Sequence, residues 1–184
     1  MNNELILGLD ISTSVVGYCI IDKKGNLHNL SYISLSKLET LFDKAEAVAE
    51  ILKDYEGLVS HIAIEEPLVM FQEGFSRAQI LSKLSMFNGM VSMMTKFIYN
   101  QTPVYYNVNT ARKLSFPDLR FPKGSDRKEL VRTEIAKKYT DIDWPAISRG
   151  KNEGKPRKEC YDMADSAIIA LAHLEKLNEQ STTD

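Results

Sequence analysis

The sequence predicts a mixed α/β fold, with one five-stranded sheet carrying helices on both faces. Three observations predict it. Three β-rich runs joined by turn residues occupy positions 4 to 35, the apolar period then switches to three and four, and two further short strands alternate with helices. At 184 residues the chain is one domain spanning 1-184, since ~100 to 200 residues is the usual size of a domain. Apolar residues at 43% and charged residues at 26% are the balance of an ordinary soluble globular protein. The chain shows no apolar run of the ~20 residues a membrane span needs, and Met1-Asn2-Asn3-Glu4 is not a signal peptide. A cytoplasmic location is therefore expected.

Residues 4 to 11 and 15 to 22 are short β-rich runs separated by Ser12-Thr13-Ser14, which predicts a hairpin. Lys23-Lys24-Gly25-Asn26 is a second turn, and 27 to 35 alternates as a third strand of an antiparallel meander. From 38 to 55, Leu38, Leu41, Phe42, Ala45, Val48, Ala49 and Leu52 recur at helical spacing. His61 to Glu65 is a short buried strand, and the intervening helix is the crossover that returns it parallel beside the first strand.

Phe75 to Tyr99 is a long helix, apolar on more than one side, with Met86, Met90, Met93, Met94 and Phe97 on it. Such a helix is either buried twice in the core or lends one stripe to a partner subunit. Pro103 to Asn107 is a strand, Thr110 to Leu114 a helical turn, and Asp126 caps a helix ending near Tyr139. Residues 140-159 lack periodicity and read as a basic flexible loop, and Tyr161 to Leu177 closes the chain as a helix. The order βββαβαβ followed by helices is shared by ribonuclease-H-like folds.

The net charge of -2 conceals an uneven distribution. Residues 112 to 158 hold 14 Lys and Arg against 7 Asp and Glu, so the rest of the chain is acidic. A basic segment on an acidic protein is a candidate face for a polyanion, because Lys and Arg that neutralise phosphates release counterions. Cys19 and Cys160 lack the spacing of metal ligands and read as reduced thiols. His28, His61 and His173 show no convergence with the acidic residues and read as structural or surface groups.

Four acids stand where solvated acids are unusual. Asp10 ends the apolar run 5 to 9, Glu65 ends Ile62-Ala63-Ile64, and Asp162 and Asp165 lie three apart among alanines and isoleucines. Neighbouring strands run ~4.8 Å apart, so Asp10 and Glu65 can meet at one end of the sheet. Residues at i and i+3 share a helix face, so Asp162 and Asp165 can point at the same place. Four such carboxylates repel unless cations join them, and oxygen ligands without His or Cys suit Mg²⁺ or Mn²⁺. Two ions ~3.5 to 4 Å apart could bracket a phosphodiester, which makes hydrolysis of a nucleic-acid backbone the expected chemistry. Glu66 competes with Glu65, because alternation along a strand does not say which of the two faces Asp10.

Ile6-Leu7-Gly8-Leu9-Asp10, Gly17-Tyr18, Ala63-Ile64-Glu65 and Asp162-Met163-Ala164-Asp165-Ser166-Ala167 resemble the RuvC-type Holliday-junction resolvases. Val108-Asn109-Thr110-Ala111-Arg112-Lys113 and the helix containing Lys128 and Val131 extend the resemblance over nearly the whole chain. The resemblance implies a homodimer with a ribonuclease-H-like fold that cuts four-way DNA junctions with Mg²⁺, and it favours Glu65 over Glu66. It also implies a basic residue near the start of the penultimate helix, for which Lys123, Arg127 and Lys128 are candidates and Lys128 is preferred. Arg112 and Lys113 join these as DNA-binding candidates, and Arg149, Lys151, Lys155, Arg157 and Lys158 are further phosphate contacts.

Two departures stand out. Family members usually carry Pro-Gly after the first aspartate, where this chain has Ile11-Ser12; and where many have an aromatic wedge three residues after the glutamate, this chain has Leu68. Phe71 or Phe75 would have to substitute, with Phe71 the candidate for base stacking. The alternatives are a flap, branched-DNA or RNA-DNA hybrid nuclease on the same fold, or a non-catalytic DNA-binding module. Gly8 to Ser14 also looks like the phosphate-binding hairpin of actin-like sugar kinases, but those need two related domains and this chain is too short for both.

Overall fold

Leu5, Leu7, Leu9 and Ile11 alternate with Ile6, Gly8 and Asp10 along β1 (Leu5–Ile11), and the two sets enter different layers. This period of two is what lets one strand serve two cores. The computed structural model of the protein describes residues 4–67 and 75–182. β1 pairs antiparallel with β2 (Val15–Asp22), which pairs antiparallel with β3 (Leu27–Ser34). On its other side β1 pairs parallel with β4 (Val59–Glu65), and β5 (Val104–Tyr106) completes the sheet order β3-β2-β1-β4-β5. The expected meander and parallel return are both present.

One face of the sheet is covered by α1 (Leu41–Leu52) and α2 (Phe75–Tyr99). The expected helix of 38 to 55 begins only at Leu41, because Thr40 and Asp43 form a reciprocal capping box, and 53–55 tighten into a 3₁₀ turn. On α2, Phe87, Val91 and Tyr99 are buried and Met90 and Met94 pack against the same core, whereas Ile80, Met86, Met93 and Phe97 are exposed. Core packing thus absorbs one side of this helix and leaves a second apolar side facing outward.

The opposite face carries α3 (Val108–Ser115), α4 (Arg127–Lys138) and α5 (Glu159–Ser181). Asp126 caps α4 by accepting from the backbone N–H groups of Lys128 and Glu129. α5 is the central helix of this layer, and two glycines let it approach the strands. A Cβ at Gly17 would lie 2.1 Å from the Asp162 carbonyl oxygen, and one at Gly8 would lie 2.4 Å from that of Ser166. Contacts that short are impossible, so glycine is required on this face of β1 and β2.

The segment 140–159 has no side-chain periodicity, yet its backbone is paired. Ile147 N–H donates to Lys155 O, Gly154 N–H to Ile147 O and Arg157 N–H to Pro145 O, with Gly150 and Gly154 at positive φ making the reversal. Trp144 lies beneath the Arg132 guanidinium at 5.6 Å and anchors the start of the segment. Cys19 and Cys160 are buried free thiols. Among the described residues, none of the helices is long and apolar enough to cross a membrane.

Candidate metal centre

The parallel register of β1 and β4 pairs Leu9 with Ile64, so Asp10 and Glu65 stand one place further on, side by side at the strand ends. Asp10 lies on the same face of β1 as Ile6 and Gly8, and Glu65 on the same face of β4 as Ala63, which is the face α5 crosses. Asp162 and Asp165 come from the first turns of α5. One carboxylate oxygen each from Asp10, Glu65 and Asp165 lie within 4.8 Å of one another. Asp162 lines the same cleft of about 380 Å³, together with Ser12, Glu66, Asn88, Arg112 and Lys128.

The electrostatics of this arrangement are adverse without a cation. Burial, followed by repulsion from Glu65, Asp165 and Asp162, holds the Asp10 carboxyl well above the usual carboxylate range. Burial and the charge of Asp165 push Glu65 up to about 7, against the lowering effect of a side-chain hydrogen bond with Asp10 and of the charges of Arg112 and Lys128. Asp162 is raised to about 6 by burial and by the charges of Asp165 and Glu159, against the opposing pull of Lys128. Carboxyls this close cannot all ionise unless positive charge is added, and oxygen-only donors at this separation fit a hard divalent ion.

Glu65 and Glu66 are separated by the fold. Glu65 joins the acidic trio, whereas Glu66 is exposed on the cleft rim and its backbone N–H donates to Tyr106 O. Ile11-Ser12 also finds its explanation here. Ser12 Oγ donates to Val15 O at 2.8 Å and accepts from Val15 N–H at 3.1 Å, closing the β1–β2 turn by a side chain where the resembled family uses Pro-Gly.

Of the basic candidates, Lys128 lines the acidic cleft, and Lys113, Lys123 and Arg127 are exposed. Lys113 and Arg127 border a neighbouring cleft of about 420 Å³ walled by Phe116 and Phe121. Arg112 departs from the expectation of a surface phosphate contact. It is only 9% exposed, and its Nη2 donates to Asp165 Oδ1 at 2.8 Å. Its place on the inward side of α3 is the reason, since α3 packs directly on α5. Arg157 is paired with Glu159 at 2.7 Å while remaining exposed, as are Arg149, Lys151, Lys155 and Lys158. Phe71 and Leu68 lie outside the described residues, as does the side chain of Phe75.

Asn88 is a cleft residue that sequence reading passed over. It is 4% exposed, and its amide reaches the Glu65 carbonyl at 3.5 Å. An asparagine in a helix otherwise rich in Met and Phe was the available signal.

No family model matches the sequence, and the search of curated proteins finds no relative. Solved structures do match. The chain is similar to Thermus thermophilus RuvC in complex with a Holliday junction substrate, at 16% identity and TM-score 0.62, covering 96% of each chain. It is similar to the yeast mitochondrial Holliday junction resolvase Ydc2, at 16% identity and TM-score 0.64, over 98% of this chain and 81% of that one. It also resembles the Fowlpox virus resolvase in complex with Holliday junction DNA, at 18% identity and TM-score 0.50, over 94% and 98%. The acidic cleft therefore sits on a ribonuclease-H-like fold, the one this chain shares with RuvC and other Holliday junction resolvases.

Proposed function

We propose that the protein is a divalent-metal-dependent, structure-selective endonuclease that resolves four-way DNA junctions as a homodimer. The observation that carries this reading is the convergence of Asp10, Glu65 and Asp165 within 4.8 Å, on a fold whose solved examples include resolvases. Asp10, Glu65, Asp165 and Asp162 would hold Mg²⁺ or Mn²⁺, with two ions expected from the charge of four carboxylates. Bound there, such ions supply the positive charge that activates water and offsets the departing oxygen of a phosphodiester.

The chain's own residues do the rest. Lys128, at the first turn of α4, adds positive charge at the cleft where a backbone phosphate would enter. Exposed Lys113, Lys123 and Arg127 continue that charge away from the cleft and would hold flanking phosphates. The outward stripe of Met86, Met93 and Phe97 on α2 is the candidate dimer surface, and two symmetric incisions need two sites.

Cleavage of a labelled four-way junction, with and without Mg²⁺, tests the proposal, with flap and RNA-DNA hybrid substrates run alongside. The wild type should cut the junction only with metal and in preference to the other two. Asp10→Asn should lose more than about 100-fold of that activity, since loss of even an outer partner of a metal ligand costs 10 to 100-fold. The same variant should still bind the junction in a mobility-shift assay. Equal cutting by Asp10→Asn would remove the acidic cleft from the chemistry.

A further inference from the structure

Among the described residues, Arg112 is the one buried cation. Its guanidinium is buried, its Nη2 is fixed on Asp165 at 2.8 Å, and its Nε–H has no hydrogen-bond partner among the described residues. A buried Arg with an unused donor is not an optimised structural ion pair, because the orphaned N–H bears its full desolvation cost. Arg112 also belongs to two clefts. It lines the acidic one with Asp10, Glu65, Asp162 and Lys128, and the basic one with Lys113, Arg120 and Arg127. The carboxylate it holds is one of the three whose oxygens converge.

Counting charge at the acidic cleft gives a definite consequence. With Glu66 left on the exposed rim and the four inward carboxylates ionised, as metal binding requires, Arg112 and Lys128 leave two negative charges among them, which one divalent ion neutralises. We propose that Arg112 is a positioning residue acting as a built-in counter-cation: in the DNA-free protein it occupies Asp165 and limits the cleft to one divalent ion, and its release toward a phosphate in the adjoining basic cleft frees Asp165 for a second. Metal loading is thereby coupled to arrival of the DNA backbone, which keeps the free protein from being fully armed. A guanidinium suits this exchange because carboxylate and phosphate present it with the same forked acceptor geometry. The inference rests on the metal-dependent reading above.

Mn²⁺ binding to the DNA-free protein tests it, followed by titration calorimetry and by the electron paramagnetic resonance of bound Mn²⁺. Wild type should bind one ion per chain. Arg112→Gln should bind a second ion, or bind the first about tenfold more tightly, because an opposing unit charge at contact distance has gone. Arg112→Lys, which keeps the charge, should bind as wild type does, and melting curves verify that each variant is folded. Two ions bound by the wild type at similar affinity would overturn the inference without using any variant, as would weaker binding by folded Arg112→Gln. In both cases loss of Mn²⁺ from Asp10→Asn would leave the metal-site reading standing. Absence of Mn²⁺ binding from every form, including Arg112→Gln, would overturn both.

Discussion

Gly17 and the Asp162 carbonyl are in such close contact that a Cβ on the former would lie 2.1 Å from the oxygen of the latter. This contact sets the height of α5 above β2, and Asp162 and Asp165 are carried on that helix. The position of half the acidic cleft is thus decided by the absence of a methyl group on a strand that contributes no acid of its own.

Gly17→Ala should therefore act at a distance. Overpacking typically costs 1 to 3 kcal/mol, so urea denaturation should show a loss of about that size. Because the strain is relieved by lifting the start of α5, Mn²⁺ affinity should fall with it. A variant equal to wild type in both measurements would show that the helix does not depend on this contact.

The raised carboxyls predict a particular effect of pH. In the folded chain Asp10, Glu65 and Asp162 keep protons that the unfolded chain releases near pH 4, so their contribution to stability falls as pH rises toward the Glu65 value of about 7. His173 acts in the opposite sense. Burial and the neighbouring His61 lower it to about 4, so its contribution is lost as pH falls through the range between the ordinary histidine value and 4. Comparison with Glu65→Gln separates the two. In EDTA the variant should melt roughly 2 to 6 °C above wild type near pH 7.5 and close to wild type near pH 4.5. Saturating Mg²⁺ should reduce the difference at the higher pH.

Glu65 and its neighbour should have unequal roles. Glu65→Gln removes an oxygen from the convergent trio, whereas Glu66→Gln alters an exposed rim residue. Mn²⁺ affinity and junction cutting should drop by more than about 100-fold in the first and by only a few-fold in the second. Equal losses would mean that the strand end rotates to use both.

The outward face of α2 should control assembly. Met86, Met93 and Phe97 are 59%, 54% and 78% exposed, the outer face of a helix that also buries Phe87 and Val91. A charge placed there, as in Met93→Asp, should leave the melting temperature of the core unchanged and convert a dimer to a monomer in sedimentation velocity. A wild type that is monomeric at micromolar concentration, with junction DNA present, would exclude this surface as the dimer contact.

The elements, their order and the four acids were legible in the sequence, because each is written in local pattern: period two in Leu5–Ile11, period three and four in Leu41–Leu52, and acids closing apolar runs at Asp10 and Glu65. Three features were not. Glu65 and Glu66 are adjacent, and although the resemblance favours Glu65, strand alternation does not choose between them; the parallel register of β4 on β1 determines which one faces Asp10. Arg112 reads as one more cation in a basic segment until α3 is packed on α5 and its guanidinium meets Asp165, 53 residues away. The pairing of 140–159 uses backbone donors and acceptors that every sequence possesses, so no side-chain period could announce it. Local chemistry is encoded residue by residue, whereas the partner of a charge depends on which surfaces meet, and that is fixed only when the layers close.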